Sequence, residues 1–163
     1  MSGIWNDINS AQSNTNVIPN GTLAKVRALG FQEVEAAGLW GATLADMRAA
    51  LDRVGIALVQ MVTPVTPDKR LKMLCAASQG FVYAVTMTGT TGKSVAVPDE
   101  VLDYRDRVQS MSPVPVCAGF GIRTAWQVSR MRGHVDGVVV GSALVEVLER
   151  GEDPAQFLRG LKS

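Results

Sequence analysis

The chain has 163 residues, 47% of them hydrophobic and 19% charged, which suffices for one domain with its own core and excludes a disordered chain. Sixteen basic against fifteen acidic side chains leave a formal net charge of +1, so no strong field points to nucleic acid or to a membrane surface as a partner. No apolar run reaches the ~18–20 residues of a membrane span, and Met1 to Asn20 lacks a basic-then-apolar leader pattern. Cys75 and Cys117 lie in apolar segments without metal-type spacing. They read as buried reduced thiols, as expected of a cytoplasmic protein.

Residues 1–20 are rich in Asn, Ser and Gln and read as a flexible lead-in, with 21–163 expected as a single domain of βα repeats. Asn20-Gly21 reads as a turn. Thr22 then caps a short helix over 23–29, closed by Gly30. Residues 31–37 form a strand candidate, and Thr43 caps a helix over 44–54 with Leu44, Met47, Leu51 and Val54 at helical spacing before Gly55. A strand over 56–63 follows, then a helix over 67–78 that turns Leu71, Leu74 and Cys75 inward. Gly80 ends that helix and 81–87 make the next strand.

After the loop 88–97, Pro98-Asp99-Glu100 starts a helix with proline in the first turn and acids at its positive end. Val101, Tyr104, Val108 and Met111 give that helix a buried stripe, and 99–106 supplies a charged face for water. Strands over 114–118 and 137–140 alternate with helices over 124–131, 143–150 and 153–161. The three valines of 138–140 suggest a strand buried on both faces. Alternation with short connections predicts an α/β fold with a parallel sheet and right-handed crossovers, of five or six strands.

In such folds ligands bind at the carboxyl ends of the strands. Three of those ends are glycine-rich: Thr88-Gly89-Thr90-Thr91-Gly92, Gly119-Phe120-Gly121-Ile122, and Gly141-Ser142 at a helix start. Glycine admits an anion close to the backbone, and a helix N-terminus favours negative charge. Each turn alone also reads as an ordinary βα connection or cap. Their recurrence on one rim points to a phosphate monoester, since neither a Gly-x-Gly-x-x-Gly nor a Walker-type loop is present.

These stretches carry a resemblance. Leu58 to Pro64 with Thr66-Pro67, Gly80 to Tyr83, Thr88 to Gly92, Pro115 to Ile122 and Asp136 to Ala143 closely resemble the tryptophan synthase α subunit, from about Ile56 to Leu161. The resemblance implies the second half of a (β/α)8 barrel, hence an incomplete TIM-type barrel. It also implies a carbon–carbon lyase that cleaves indole-3-glycerol phosphate to indole and glyceraldehyde 3-phosphate. Gly92, Gly121, Gly141 and Ser142 would hold the substrate phosphate, and Tyr83 would line the indole pocket and assist the catalytic acid, with Phe81 and Val85 nearby. No metal and no cofactor of its own is implied. The family's partner is a β subunit carrying pyridoxal phosphate.

The front of the chain departs from that pattern. Glu35 stands five residues after Gly30, the offset of the family's catalytic Glu, but no Ser-Asp-Pro follows, and strands three and four of the family lack counterparts. Residues 21–56 more weakly resemble the sugar phosphate isomerase/epimerase family. Three functions stay open: the α-chain-type lyase, with Glu35 as proton shuttle; a non-catalytic phosphate-binding half-barrel or chimeric fragment that forms a homodimer to cover its edges; and a sugar-phosphate isomerase using Glu33 or Glu35. His134, the single histidine, reads as exposed decoration, and Trp5, Trp40 and Trp126 as packing residues.

Overall fold

The computed structural model describes residues 20–35, 43–85, 99–119 and 121–162. Its elements run α1 (Asn20–Ala28), β1 (Glu33–Glu35), α2 (Leu44–Val54), β2 (Ala57–Val62), α3 (Asp68–Ala77), β3 (Val82–Val85), α4 (Asp99–Met111), β4 (Val116–Gly119), α5 (Ala125–Ser129), β5 (Gly137–Val139), α6 (Ser142–Glu149) and α7 (Pro154–Gly160). All strand pairs are parallel and follow one another in chain order. Two compact units divide the chain, Met1–Val59 and Gln60–Ser163.

In the first unit α1 begins at Asn20, so the pair expected as a turn and the expected cap Thr22 all lie inside the helix. Asn and Gly suit a first helical turn as well as a loop. Thr43 caps α2 through a reciprocal box with Asp46, whose carboxyl accepts from the Thr43 amide while the Asp46 amide donates to Thr43 Oγ1. Gly55 closes the helix at φ 68°, a left-handed residue that any side chain would strain. Met47, Ala50 and Leu51 of α2 pack with Ile56 and Leu58, joined by Leu23, Val26 and Val34. β1 is short, and Phe31, expected inside a strand, precedes it with 56% of its surface exposed.

In the second unit the sheet has two unlike faces. Val62, Val82, Ala84 and Val116 are fully buried against Leu71 and Cys75 of α3 and Tyr104 and Val108 of α4. The alternate residues Tyr83, Val85 and Cys117 stay half-exposed, the period-two pattern of a sheet covered by helices on one side. Ser78 pins the point where β2 begins to pair with β3: its hydroxyl accepts from the Gln60 amide at 3.0 Å and donates to the Phe81 carbonyl at 2.6 Å. Asp136 does the same for β4 and β5, its carboxylate accepting from the Val116 amide at 2.8 Å.

Several expectations need correcting. Val138, Val139 and Val140 are half-buried rather than buried on both faces, because β5 pairs with β4 alone among the described strands. Trp126 is 47% exposed, not a packing residue. His134 is no loose decoration, since its Nδ1 lies 2.7 Å from Asp106 Oδ1. Arg105 breaks the solvated face expected over 99–106, being wholly buried. Both cysteines are free thiols, Cys75 buried and Cys117 half-exposed. The expected Trp5 and Trp40 and the loop 88–97 lie outside the described residues.

Candidate functional site

Parallel pairing sets the strand tips of the second unit level with one another. Val85, Gly119 and Val139 form one row across β3, β4 and β5, and Tyr83, Cys117 and Gly137 form the row below. Gly121 and Gly141 therefore each stand two residues beyond the same row, on the carboxyl rim where ligands of parallel sheets bind. Gly92, the third expected phosphate contact, lies outside the described residues.

Tyr83 stands on the half-exposed face of β3 with Phe81 and Val85 at alternate positions, and its ring centroid is 6.5 Å from that of Phe81 at an interplanar angle of 41°. The phenol leans across β4. A Cβ placed on Gly119 would fall inside the van der Waals radii of Tyr83 Oη and Cζ. Gly119 is thus bare because a ring occupies the space of its missing side chain. A glycine at a strand end read only as a turn signal misses this, for the partner comes from a neighbouring strand.

Beyond Gly119 the chain turns at Gly121, φ 75°, into α5. Sequence reasoning overlooked the side chain that shapes this turn. Gln127 is 8% exposed, and its Oε1 accepts from the amides of Arg123 at 2.8 Å and Thr124 at 3.1 Å while Nε2 donates to the Gly121 carbonyl at 3.4 Å. The signal was present as Thr124-Ala125-Trp126-Gln127, a capping box whose glutamine reaches back over the turn.

Gly141 precedes α6, and the amides of Leu144 and Val145 both donate to its carbonyl. The amides of Ser142 and Ala143, at the head of the helix, have no carbonyl within it to bind. A Cβ on Gly141 would meet no atom within 4 Å. Protein packing does not call for glycine here. What glycine leaves is space beside an amide-bearing helix start.

Arg123 and Glu146 tie the two turns together by a forked ion pair, with nitrogen–oxygen distances of 2.7 and 2.6 Å. The Arg123 hydrogen bond holds the Glu146 carboxyl below its ordinary value. A lowered carboxylate stabilises the fold above its unfolded pKa, about 4.3, and that contribution is lost as pH falls below it. We expect the stability difference between the wild type and Arg123→Gln to be constant above about pH 5 and to shrink on acidification. Urea denaturation across that range measures it, and a difference that does not change with pH would show the pair to be idle.

Glu35 ends β1 in the first unit, exposed by area yet crowded enough that desolvation raises its carboxyl above the usual glutamate range. Among the described residues no three His, Cys, Asp or Glu side chains cluster as metal ligands, and no helix is long and apolar enough to cross a membrane.

Parallel βα units with glycine-bearing turns on the carboxyl rim of the strands define a (β/α)-barrel class of protein, here with five strands forming a half-barrel. Residues 25–162 match the family model described as tryptophan synthase alpha chain. The chain belongs to the tryptophan synthase alpha chain family. The match reaches back across the segment with the weaker isomerase likeness. Among curated relatives, the alpha chain of Bacillus thuringiensis is 42% identical over 114 residues, covering 69% of this chain and 44% of the relative. That of Carboxydothermus hydrogenoformans is 38% identical over 104 residues, covering 64% and 39% respectively. A solved tryptophan synthase A-subunit from the hyperthermophile Pyrococcus furiosus superposes with a TM-score of 0.72 at 30% identity, covering 88% of this chain and 58% of that one. The chain thus spans less than half the length of these curated relatives.

Proposed function

We propose that this chain is an α-chain-type lyase half-barrel whose second unit binds a phosphate monoester, with indole-3-glycerol phosphate as the substrate to be tested. The observation that carries the reading is the pair of level turns at Gly121 and Gly141, the second opening on unfilled space at a helix start. Gly121, Gly141 and Ser142 grip the phosphate through backbone amides and a hydroxyl, with Gly92 assigned to the same task by family likeness. Tyr83, flanked by Phe81 and Val85, meets the indole ring. Glu35, whose raised pKa favours proton transfer, is the proposed acid and base. A tryptophan synthase β subunit is the protein partner that belongs to this reading.

The test pairs calorimetric titration with glycerol 3-phosphate and an assay for indole released from indole-3-glycerol phosphate. Gly141→Ala, its folding checked by urea denaturation, is expected to weaken phosphate-ester binding about tenfold, a loss of about 1.4 kcal/mol. Failure of the folded wild type to bind any phosphate ester sinks the reading. Binding without indole release supports the second reading, a non-catalytic phosphate-binding half-barrel. That reading is favoured by the sequence after Glu35, where no Ser-Asp-Pro follows.

A further inference from the structure

Helix α4 places a cation where none is expected. Arg105 has no exposed surface, and its Nε, Nη1 and Nη2 have no hydrogen-bond partner among the described residues. The hydroxyl of Tyr104, 4% exposed, is orphaned beside it in sequence, and so is Nε of Arg107. Every nitrogen in this set is a donor and none of its members is an anion. Burial pushes the Tyr104 phenol far above its ordinary value, so it keeps its proton and remains a donor too. Burial also lowers the Arg105 guanidinium, but arginine starts so far above neutrality that the charge persists.

Among the described carboxylates around α4, Asp106 lends Arg105 a field of opposite sign but makes no ion pair with it, and the others are engaged elsewhere or face water. Asp106 holds His134 at 2.7 Å, Asp68 on α3 lies 3.3 Å from Arg107 Nη1, and Asp103 is exposed. Cys75, the α3 residue whose field reaches Tyr104, is a buried thiol whose own pKa is raised, so it offers no negative charge. A buried charge without a counter-charge is strongly disfavoured, and arginine cannot escape by losing its proton.

We propose that the second unit takes up one small monovalent anion of the halide class on folding, held by the Arg105 guanidinium with the Tyr104 hydroxyl as neighbouring donor. One buried positive charge without an ion-pair partner among the described residues calls for one negative charge, and a spherical anion accepts from several N–H donors without needing acceptors in return. The site is separate from the phosphate turns, which belong to the β4–α5 and β5–α6 connections.

Thermal denaturation in sodium chloride against sodium gluconate at equal ionic strength tests it, chloride being the probe and gluconate too large to be buried. The wild-type melting temperature is expected to rise with chloride and level off as the site fills. Gluconate is expected to give no such rise. Arg105→Met is expected to lose the chloride dependence and, in gluconate, to melt at or above the wild-type temperature, since an uncompensated charge has been removed. Chloride nuclear-relaxation broadening by the wild type should fall at least tenfold in that variant. Arg105→Lys keeps the charge and serves if the methionine variant does not fold; it should retain a weaker, still saturable rise. Equal wild-type stability in both salts overturns the proposal. So does a saturable chloride effect, or undiminished broadening, that survives in Arg105→Met.

Discussion

Gly119→Ala is expected to destabilise the second unit by about 1–3 kcal/mol, the range for overpacking a filled space. The added methyl would occupy the position of the Tyr83 phenol, and the neighbour that must yield is an aromatic ring wedged across a strand. Either the ring swings off β4 or the strands part; both break the row that Tyr83 shares with Cys117. Tyr83→Ala in the same chain vacates the space. The double variant is therefore expected to be more stable than the sum of the singles by about 1–2 kcal/mol. Urea denaturation of the four proteins yields that coupling. Additive losses would mean that the ring and the glycine do not touch. On the proposed function, Gly119→Ala should also weaken indole-3-glycerol phosphate more than glycerol 3-phosphate, because the ring faces the indole and not the phosphate.

Leu71→Ala carries the largest loss we expect, about 3 kcal/mol. Leu71 has no exposed surface and sits on α3 among Val62, Val82, Ala84 and Val116 of three adjoining strands and Tyr104 and Val108 of α4. Truncation leaves a hole whose walls are sheet and two helices, with little freedom to close. Domains of this kind have roughly 5–15 kcal/mol in total, so the unit would lose a large part of its margin. Val145→Ala on α6, where Val145 is 53% exposed, is the control and should change stability by less than about 0.5 kcal/mol. A loss under about 1 kcal/mol for Leu71→Ala, small for a fully buried leucine, would show that the α3–sheet interface is not the core described.

The alternation of strand and helix was legible because each element carries a local signal. Thr43 and Asp46 spell the start of α2, Gly55 its end, and Leu71 with Cys75 the inward face of α3. What local pattern could not supply is what lies across the sheet or past its edge. The valines of β5 read as doubly buried because their sequence is that of an inner strand; their exposure follows from a neighbour that the string of letters does not name. Arg105 was read as wet from its charge, although it lies one residue from the buried stripe of α4. His134 and Asp106 are 28 residues apart, beyond any spacing rule. The candidate site was legible in part for the same reason: Gly121, Gly141 and Tyr83 announce themselves as turn or strand residues. The partners that give them meaning, Gln127, Glu146 and Gly119, are contributed through the fold.

The outer side of β5 has a physical consequence of its own. Among the described strands only β4 bonds to it, so none of them satisfies its other line of amides and carbonyls. Gly137, Val138 and Val139 put no charge there to repel a visitor. The molecule's net charge of +1 is too small to hold copies apart at long range. Association between copies through this three-residue ribbon of backbone is therefore expected to rise with concentration.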